Sequence, residues 1–331
     1  MQECRQACRQ AGRDYSLSSI RFVSLSMIIT CHMMQYLEIE LAWWFNVGVQ
    51  IFLIISGYLY GQKETIDIKN FYIKRFERIL IPYYCLVIPV LIMYFSFAGD
   101  KVTLANAVKV VLLNGTIEGG GHLWFVPTIL FCYVITPILE SFYKECNKRG
   151  FLVITIAGVQ IIALFSVGFA TYYNAAWLGC YIIGYALGVN ADRNFISKRT
   201  ILIVTGLLAC MNIGQIYLDY VRHIEIAGNI EIIYSAFKAY NHVFLGLFIF
   251  VIGKELLARV SFNDKICSLL NTADKYSYEM YLVHQFVILG PFSLMGLTNV
   301  MTVNIVVILA AICVLAGLLK LIDTRIQKLI I

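Results

Sequence analysis

SLSSIRFVSLSMIITCHMMQYL, residues 16–37, is the stretch on which the fold turns. It is apolar and of bilayer length, since about 20 helical residues cross a hydrocarbon core ~30 Å thick. Yet it carries Arg21 and His32. Eleven steps of about 100° return these two side chains to one helix face, roughly 16 Å apart along the axis. Ionisable groups are costly in a span and face a bundle interior or a water-filled path rather than lipid. Two readings stand for the pair. One is a functional site inside a helical bundle; the other is a snorkelling arginine near a helix end with a histidine hydrogen-bonded for structural reasons.

The remainder of the chain is the same kind of material. Of 331 residues, 60% are apolar and only 14% charged, and mean hydropathy is +0.76, which excludes a soluble domain. Apolar runs predict spans at 16–37, 42–61, 79–98, 123–142, 151–171, 174–190, 200–219, 234–253, 277–296 and 300–321. The expected fold is an all-α integral membrane protein, a bundle of about ten transmembrane helices.

Charge placement tests that count independently, because cytoplasmic segments are enriched in Lys and Arg. With the N-terminus cytoplasmic, 21 of the 26 Lys and Arg residues fall in inside segments. Only Lys101, Lys109 and Arg222 fall outside, while Arg21 and Lys238 lie within or at the edge of spans. An odd number of spans would break the alternation. Both termini are therefore expected to be cytoplasmic in a multi-pass protein of the plasma membrane. The net charge of +6 is the excess such a protein carries toward anionic lipid, and it calls for no nucleic acid.

Residues 1–331 read as a single integral-membrane domain. Residues 1–15 form a polar cytoplasmic segment rather than a cleavable signal peptide. The ten cysteines lie mostly singly within spans, without CxxC spacing, so no metal site is expected; Cys4 and Cys8 are expected to be reduced and incidental.

Several polar positions invite a role. In the basic loop or interfacial helix 62–78, Arg75 and Arg78 share a face beside Lys74. They could grip a phosphorylated ligand through paired charge-assisted hydrogen bonds, or anchor the loop to anionic lipid. Ser56, next to Gly57, reads as a helix-packing or hydrogen-bonding residue rather than a nucleophile. His122 and Trp124, at the outer end of the fourth span, either line an acceptor site or belong to an aromatic belt. Glu279 and His284 are five residues apart and share a face poorly, which favours a structural role for His284. Lys238, Asp219 and His242 either bind a polar substrate or snorkel.

Taken together, three segments resemble the membrane acyltransferase family 3: Arg21 to His32, Gly48-Val49-Gln50-Ile51-Phe52-Leu53-Ile54-Ile55-Ser56-Gly57-Tyr58, and Lys74-Arg75-Phe76-Glu77-Arg78-Ile79-Leu80-Ile81-Pro82. His122-Leu123-Trp124-Phe125 and Ser277-Tyr278-Glu279-Met280-Tyr281-Leu282-Val283-His284 are similar to that family's later motifs and stand in the same order. The resemblance implies O-acyl transfer from a cytoplasmic acyl-CoA, with acetyl-CoA the first choice and succinyl-CoA an alternative, to a hydroxyl on an extracytoplasmic glycan or lipid-linked sugar. By similarity, His32 and Arg21 are the catalytic histidine and arginine, and Arg75 and Arg78 with Lys74 hold the donor. No cofactor is bound permanently; acyl-CoA is a co-substrate.

His32 would act either as general base or through an acyl-histidine intermediate. One departure bears on substrate: many glycan-modifying members carry a Trp-Ser-Leu-x-x-Glu signature where this chain reads Leu123-Trp124-Phe125-Val126-Pro127-Thr128. With no appended extracytoplasmic domain expected either, nothing announces a particular polymer. The rival class is a transporter or flippase, for which repeat symmetry or Gly/Pro-interrupted spans in matching halves would be expected, and neither stands out.

Overall fold

A computed structural model describes residues 14–63, 67–145, 175–191, 198–221 and 229–330. Among these, all regular structure is helical and no strand occurs. The helices are α1 (Tyr15–Tyr36), α2 (Ala42–Phe45), α3 (Gly48–Gly61), α4 (Ile68–Phe97), α5 (Leu104–Val111), α6 (Phe125–Glu145), α7 (Ala175–Val189), α8 (Lys198–Ile216), α9 (Asn229–Leu257), α10 (Asp264–Ile288) and α11 (Met301–Ile330). A π-helical turn, Tyr217–Val221, extends α8, and short 3₁₀ turns lie at Gly99–Lys101 and Gly121–Trp124. Six stretches among the described residues are long and apolar enough to cross a membrane: Tyr15–Tyr36, Ala42–Gly61, Ile68–Phe97, Gly121–Tyr143, Ile233–Leu257 and Met301–Leu329. The expected span 151–171 lies outside the described residues, as do Cys4 and Cys8.

Two expected boundaries shift, and one connection holds a helix of its own. The basic stretch expected as a loop or interfacial helix at 62–78 is, from Ile68 on, continuous with the third span: α4 runs unbroken for 30 residues from its Asp67 N-cap, with Pro82 and Pro89 inside it. The Asp67 carboxylate accepts the Asn70 N–H at 3.3 Å, a start signal that hydropathy does not register. The connection after α4 holds its own helix, α5, capped by Thr103 Oγ1 accepting from the Asn106 N–H at 3.2 Å. The ninth expected span, 277–296, is displaced toward the N-terminus. Helix α10 begins at Asp264, through a polar stretch that an apolar window passes over, and ends at Ile288. Gly290, with φ +88°, and Pro291 after it then terminate the helix.

The chain divides into two compact units, Met1–Ser24 with Asn46–Glu64 and Phe142–Asn263, and Leu25–Phe45 with Thr65–Ser141 and Asp264–Ile331. In the first, α3 and α7 approach to backbone contact through paired glycines. A Cβ on Gly57 or Gly61 would overlap the carbonyl oxygens of Tyr181 and Tyr185, and one on Gly184 or Gly188 those of Ile54 and Tyr58. Small residues at four-residue spacing are the means by which helices come this close in lipid. Gly57→Ala is therefore expected to lower the thermal midpoint of the detergent-purified protein, at a cost of about 1–3 kcal/mol from overpacking. Gly206→Ala, where nothing lies within 4 Å of the added methyl, is expected to leave the midpoint unchanged or raise it, because alanine is the better helix former.

Elsewhere in this unit the Lys254 ammonium donates to the Tyr58 hydroxyl and sits 4.0 Å from the centre of its ring. Asp219 accepts from the Tyr234 hydroxyl at 2.5 Å and from Gln215 Nε2 at 3.2 Å, and lies 3.5 Å from Lys238 Nζ. Lys238 and Asp219 are thus partners of each other.

In the second unit, tyrosines of α4 tie down the segment that follows it. Tyr83, Tyr84 and Tyr94 donate to the carbonyls of Val110, Val111 and Glu118 at 2.6, 3.1 and 2.6 Å. The end of that segment meets the end of α10 where two glycines touch. Gly119 has φ +69°, and a Cβ on Gly290 would lie 2.8 Å from the Gly119 Cα, so neither position has room for a side chain. This contact seats the Gly121–Trp124 turn against α10 and delivers His122 to the site described next.

Candidate active site

His32, His122 and His284 come from three separate stretches of the second unit and converge on one another. The His284 ring centre lies 5.0 Å from that of His32 and 4.9 Å from that of His122. Each ring is oriented by what its nitrogens meet. His32 Nδ1 lies 2.6 Å from Gln35 Oε1, one helical turn along α1. The amide oxygen can only accept, so Nδ1 carries the proton and the lone pair sits on Nε2. His32 is half-buried.

His122 is braced. Its backbone N–H donates to Gln285 Oε1 at 2.5 Å, its Nδ1 lies 2.6 Å from the same oxygen, and its Nε2 lies 2.8 Å from the Leu282 carbonyl oxygen. The Tyr281 hydroxyl donates to the His122 carbonyl at 2.8 Å. Both ring nitrogens face carbonyl oxygens and the residue is only 3% exposed. His122 therefore presents no lone pair outward. Trp124, two residues on, is half-exposed, so the two residues expected together at an acceptor surface are placed differently, one inside and one at the edge.

His284 is fully buried and donates Nδ1–H to the Tyr281 carbonyl at 2.5 Å. Its Nε2 is buried without a hydrogen-bond partner. An unsatisfied ring nitrogen in a polar cluster is expensive to keep and calls for an explanation. Its place between His32 and His122 was not readable from its spacing to Glu279, because the contact joins α10 to α1 and to the 3₁₀ turn.

Gln285 is the residue that sequence reasoning missed. With its oxygen committed to His122, its Nε2 lies 3.5 Å from His32 Nδ1, a contact between two donors rather than a hydrogen bond. One side chain thus borders two histidines 90 residues apart in sequence. The only signal available was a glutamine beside the histidine of an otherwise apolar run. Among the described residues, no group of three or more His, Cys, Asp or Glu side chains is arranged to hold a metal.

Glu279 stands apart from this cluster. It is buried and paired with Lys320 Nζ at 2.8 Å, and the same ammonium meets Asp323 at 3.0 Å. Lys74 and Arg78 are exposed on α4 and Arg75 is half-buried. The helix that carries them is fixed to α6 by the Tyr72 hydroxyl donating to the Val134 carbonyl at 2.9 Å, with Phe71 packed edge-on to Tyr133. Arg21 is half-buried in the part of α1 that belongs to the first unit, and Ser56 is half-buried on α3 of the same unit.

The described residues combine apolar helices of spanning length with a hydrogen-bonded cluster of three histidines. The chain matches the acyltransferase domain profile of family 3 over residues 14–321, and it belongs to that family of membrane acyltransferases. No curated protein and no solved structure matches it.

Proposed function

We propose that this protein is an O-acyltransferase that moves an acetyl group from cytoplasmic acetyl-CoA to a hydroxyl of a cell-surface or lipid-linked glycan. It does so as a plasma-membrane bundle of about ten spans with both termini cytoplasmic, the arrangement that the distribution of Lys and Arg favours. Family membership supports acyl transfer. The observation that carries the rest is the state of His32, half-exposed, with Nδ1–H committed to Gln35 and the Nε2 lone pair left for a proton.

In this reading Nε2 takes the proton of the acceptor hydroxyl as its oxygen attacks the thioester carbonyl. The C–S bond breaks, and the coenzyme thiolate leaves with the proton that His32 returns. His284 and Gln285 are positioning residues, one against the His32 ring and the other beside Nδ1. His122 braces Gln285, and Trp124 offers an apolar face to the acceptor sugar. Arg75, Arg78 and Lys74 hold the phosphates of the donor, since guanidinium forks suit phosphate oxygens. Arg21, on the same face of α1 as His32, lies along the path of the pantetheine arm.

The test is transfer of label from radioactive acetyl-CoA to glycans in membranes that express the protein. Arg75→Ala/Arg78→Ala is expected to raise KM for acetyl-CoA about 10–100-fold with little change in kcat, the mark of lost donor binding. An unchanged KM would remove the pair from the donor site. No incorporation by the wild type from any acyl-CoA would reject acyl transfer to a glycan and turn attention to translocation of an unmodified substrate.

A further inference from the structure

The last turns of α11 and the polar first half of α10 border a partly open cavity of about 290 Å³, lined by Lys275, Tyr276, Lys320, Thr324, Arg325 and Lys328 among others. Lys320 is committed to Glu279 and Asp323, so it forms the floor. Lys275, Arg325 and Lys328 are exposed around the opening. Two buried carboxylates against four cations leave the cavity net positive.

Cations in the last turn of a helix complement its dipole, and Lys328 would satisfy that role alone. Lys275 does not, since it sits in the body of α10 and reaches the same cavity from a second helix. Two helices thus converge cations on one partly open cavity. From Met301 to Lys320 the helix rises roughly 28 Å, the thickness of a hydrocarbon core, which places the cavity at headgroup depth. Its size is at the lower end for a ligand site, enough for a phosphate ester with its immediate substituents and too small for a whole nucleotide.

We propose that this cavity binds a phosphate ester group, gripped by the Arg325 guanidinium with Lys275 and Lys328 as flanking charges. Two molecules at this depth carry such a group: an anionic phospholipid, and the adenosine 3′,5′-diphosphate end of coenzyme A. The proposal does not depend on acyl transfer, and its test reads binding alone.

Purified protein would be titrated with adenosine 3′,5′-diphosphate. Separately, it would be exchanged into mixed micelles of phosphatidylglycerol and phosphatidylcholine, and retained lipid read by native mass spectrometry. Lys275→Gln/Arg325→Gln/Lys328→Gln is expected to weaken one of these about tenfold or more, while Lys265→Gln, an exposed cation of α10 outside the cavity, keeps it. Loss of nucleotide binding assigns the cavity to the donor, and loss of phosphatidylglycerol preference assigns it to lipid. Lys328→Gln alone, in the last turns of α11, serves if the triple variant does not fold and is expected to show a smaller loss of the same kind. Wild-type protein that binds neither probe, or variants that bind both as well as wild type, would overturn the proposal.

Discussion

Membranes carrying His32→Ala are expected to transfer acetyl label about 10²–10⁴-fold more slowly than wild type at equal protein level, the range that a positioned general base supplies. Two further substitutions make the result diagnostic. Gln35→Ala frees Nδ1 from the oxygen 2.6 Å away that holds its proton, so the imidazole loses its fixed tautomer while keeping both nitrogens. A smaller fall in kcat is expected there, with KM for acetyl-CoA unchanged. His284→Asn retains an N–H to reach the Tyr281 carbonyl but removes the ring that packs at a tilt against His32. It should likewise lower kcat without moving KM, and shift the pH profile of kcat, because the group that borders the base has changed. A purely structural role for His284 would lower the amount of folded protein and leave the pH profile of the survivors alone. If His32→Ala keeps wild-type incorporation, the base lies elsewhere, and the buried, unpartnered His284 Nε2 becomes the group to test.

Hydropathy made the spanning helices legible because lipid demands long uninterrupted apolar helix and nothing else. Arg21 and His32 stood out for the same reason, as expensive exceptions within one. What the pattern could not supply is anything settled by local backbone chemistry or by contacts between distant segments. The polar start of α10, residues 264–276, is helical without being apolar, and only the Gly290 and Pro291 stop marks its true end. The histidine cluster depends on a 3₁₀ turn seated by two touching glycines and on a glutamine whose two ends meet different histidines. Neither has a periodicity. Glu279 and His284 share a motif in sequence but serve different neighbourhoods, one facing Lys320 and the other His32. A five-residue spacing on a helix separates faces by about 140°, and that rule predicted their separation without saying what each would meet.

Lys320→Met is expected to destabilise the protein by about 3 kcal/mol, the lower part of the range for breaking a buried ion pair by removing one partner. The reason lies in the asymmetry of the cluster. Glu279 and Asp323 side chains are 3% and 2% exposed, whereas Lys320 is 24% exposed. Removing the lysine strands two carboxylates that water cannot reach, and the remaining partner of Asp323, Gln327 Nε2 at 2.6 Å, can only share a dipole. The partial exposure of the ammonium tempers the cost, since solvent screens it already. Neutralising the acids as well should restore most of what was lost: Lys320→Met/Glu279→Gln/Asp323→Asn is expected to recover a thermal midpoint within a few degrees of wild type, because no unpaired charge then remains buried. The check is a double-mutant cycle on Lys320→Met and Glu279→Gln, read by thermal unfolding in detergent. A coupling near zero would mean that the ammonium acts as a surface charge and that something other than Lys320 compensates the two carboxylates. A coupling of about 2 kcal/mol or more would make the α10 and α11 pairing an electrostatic clasp that fixes the register of the helix carrying His284 and Gln285.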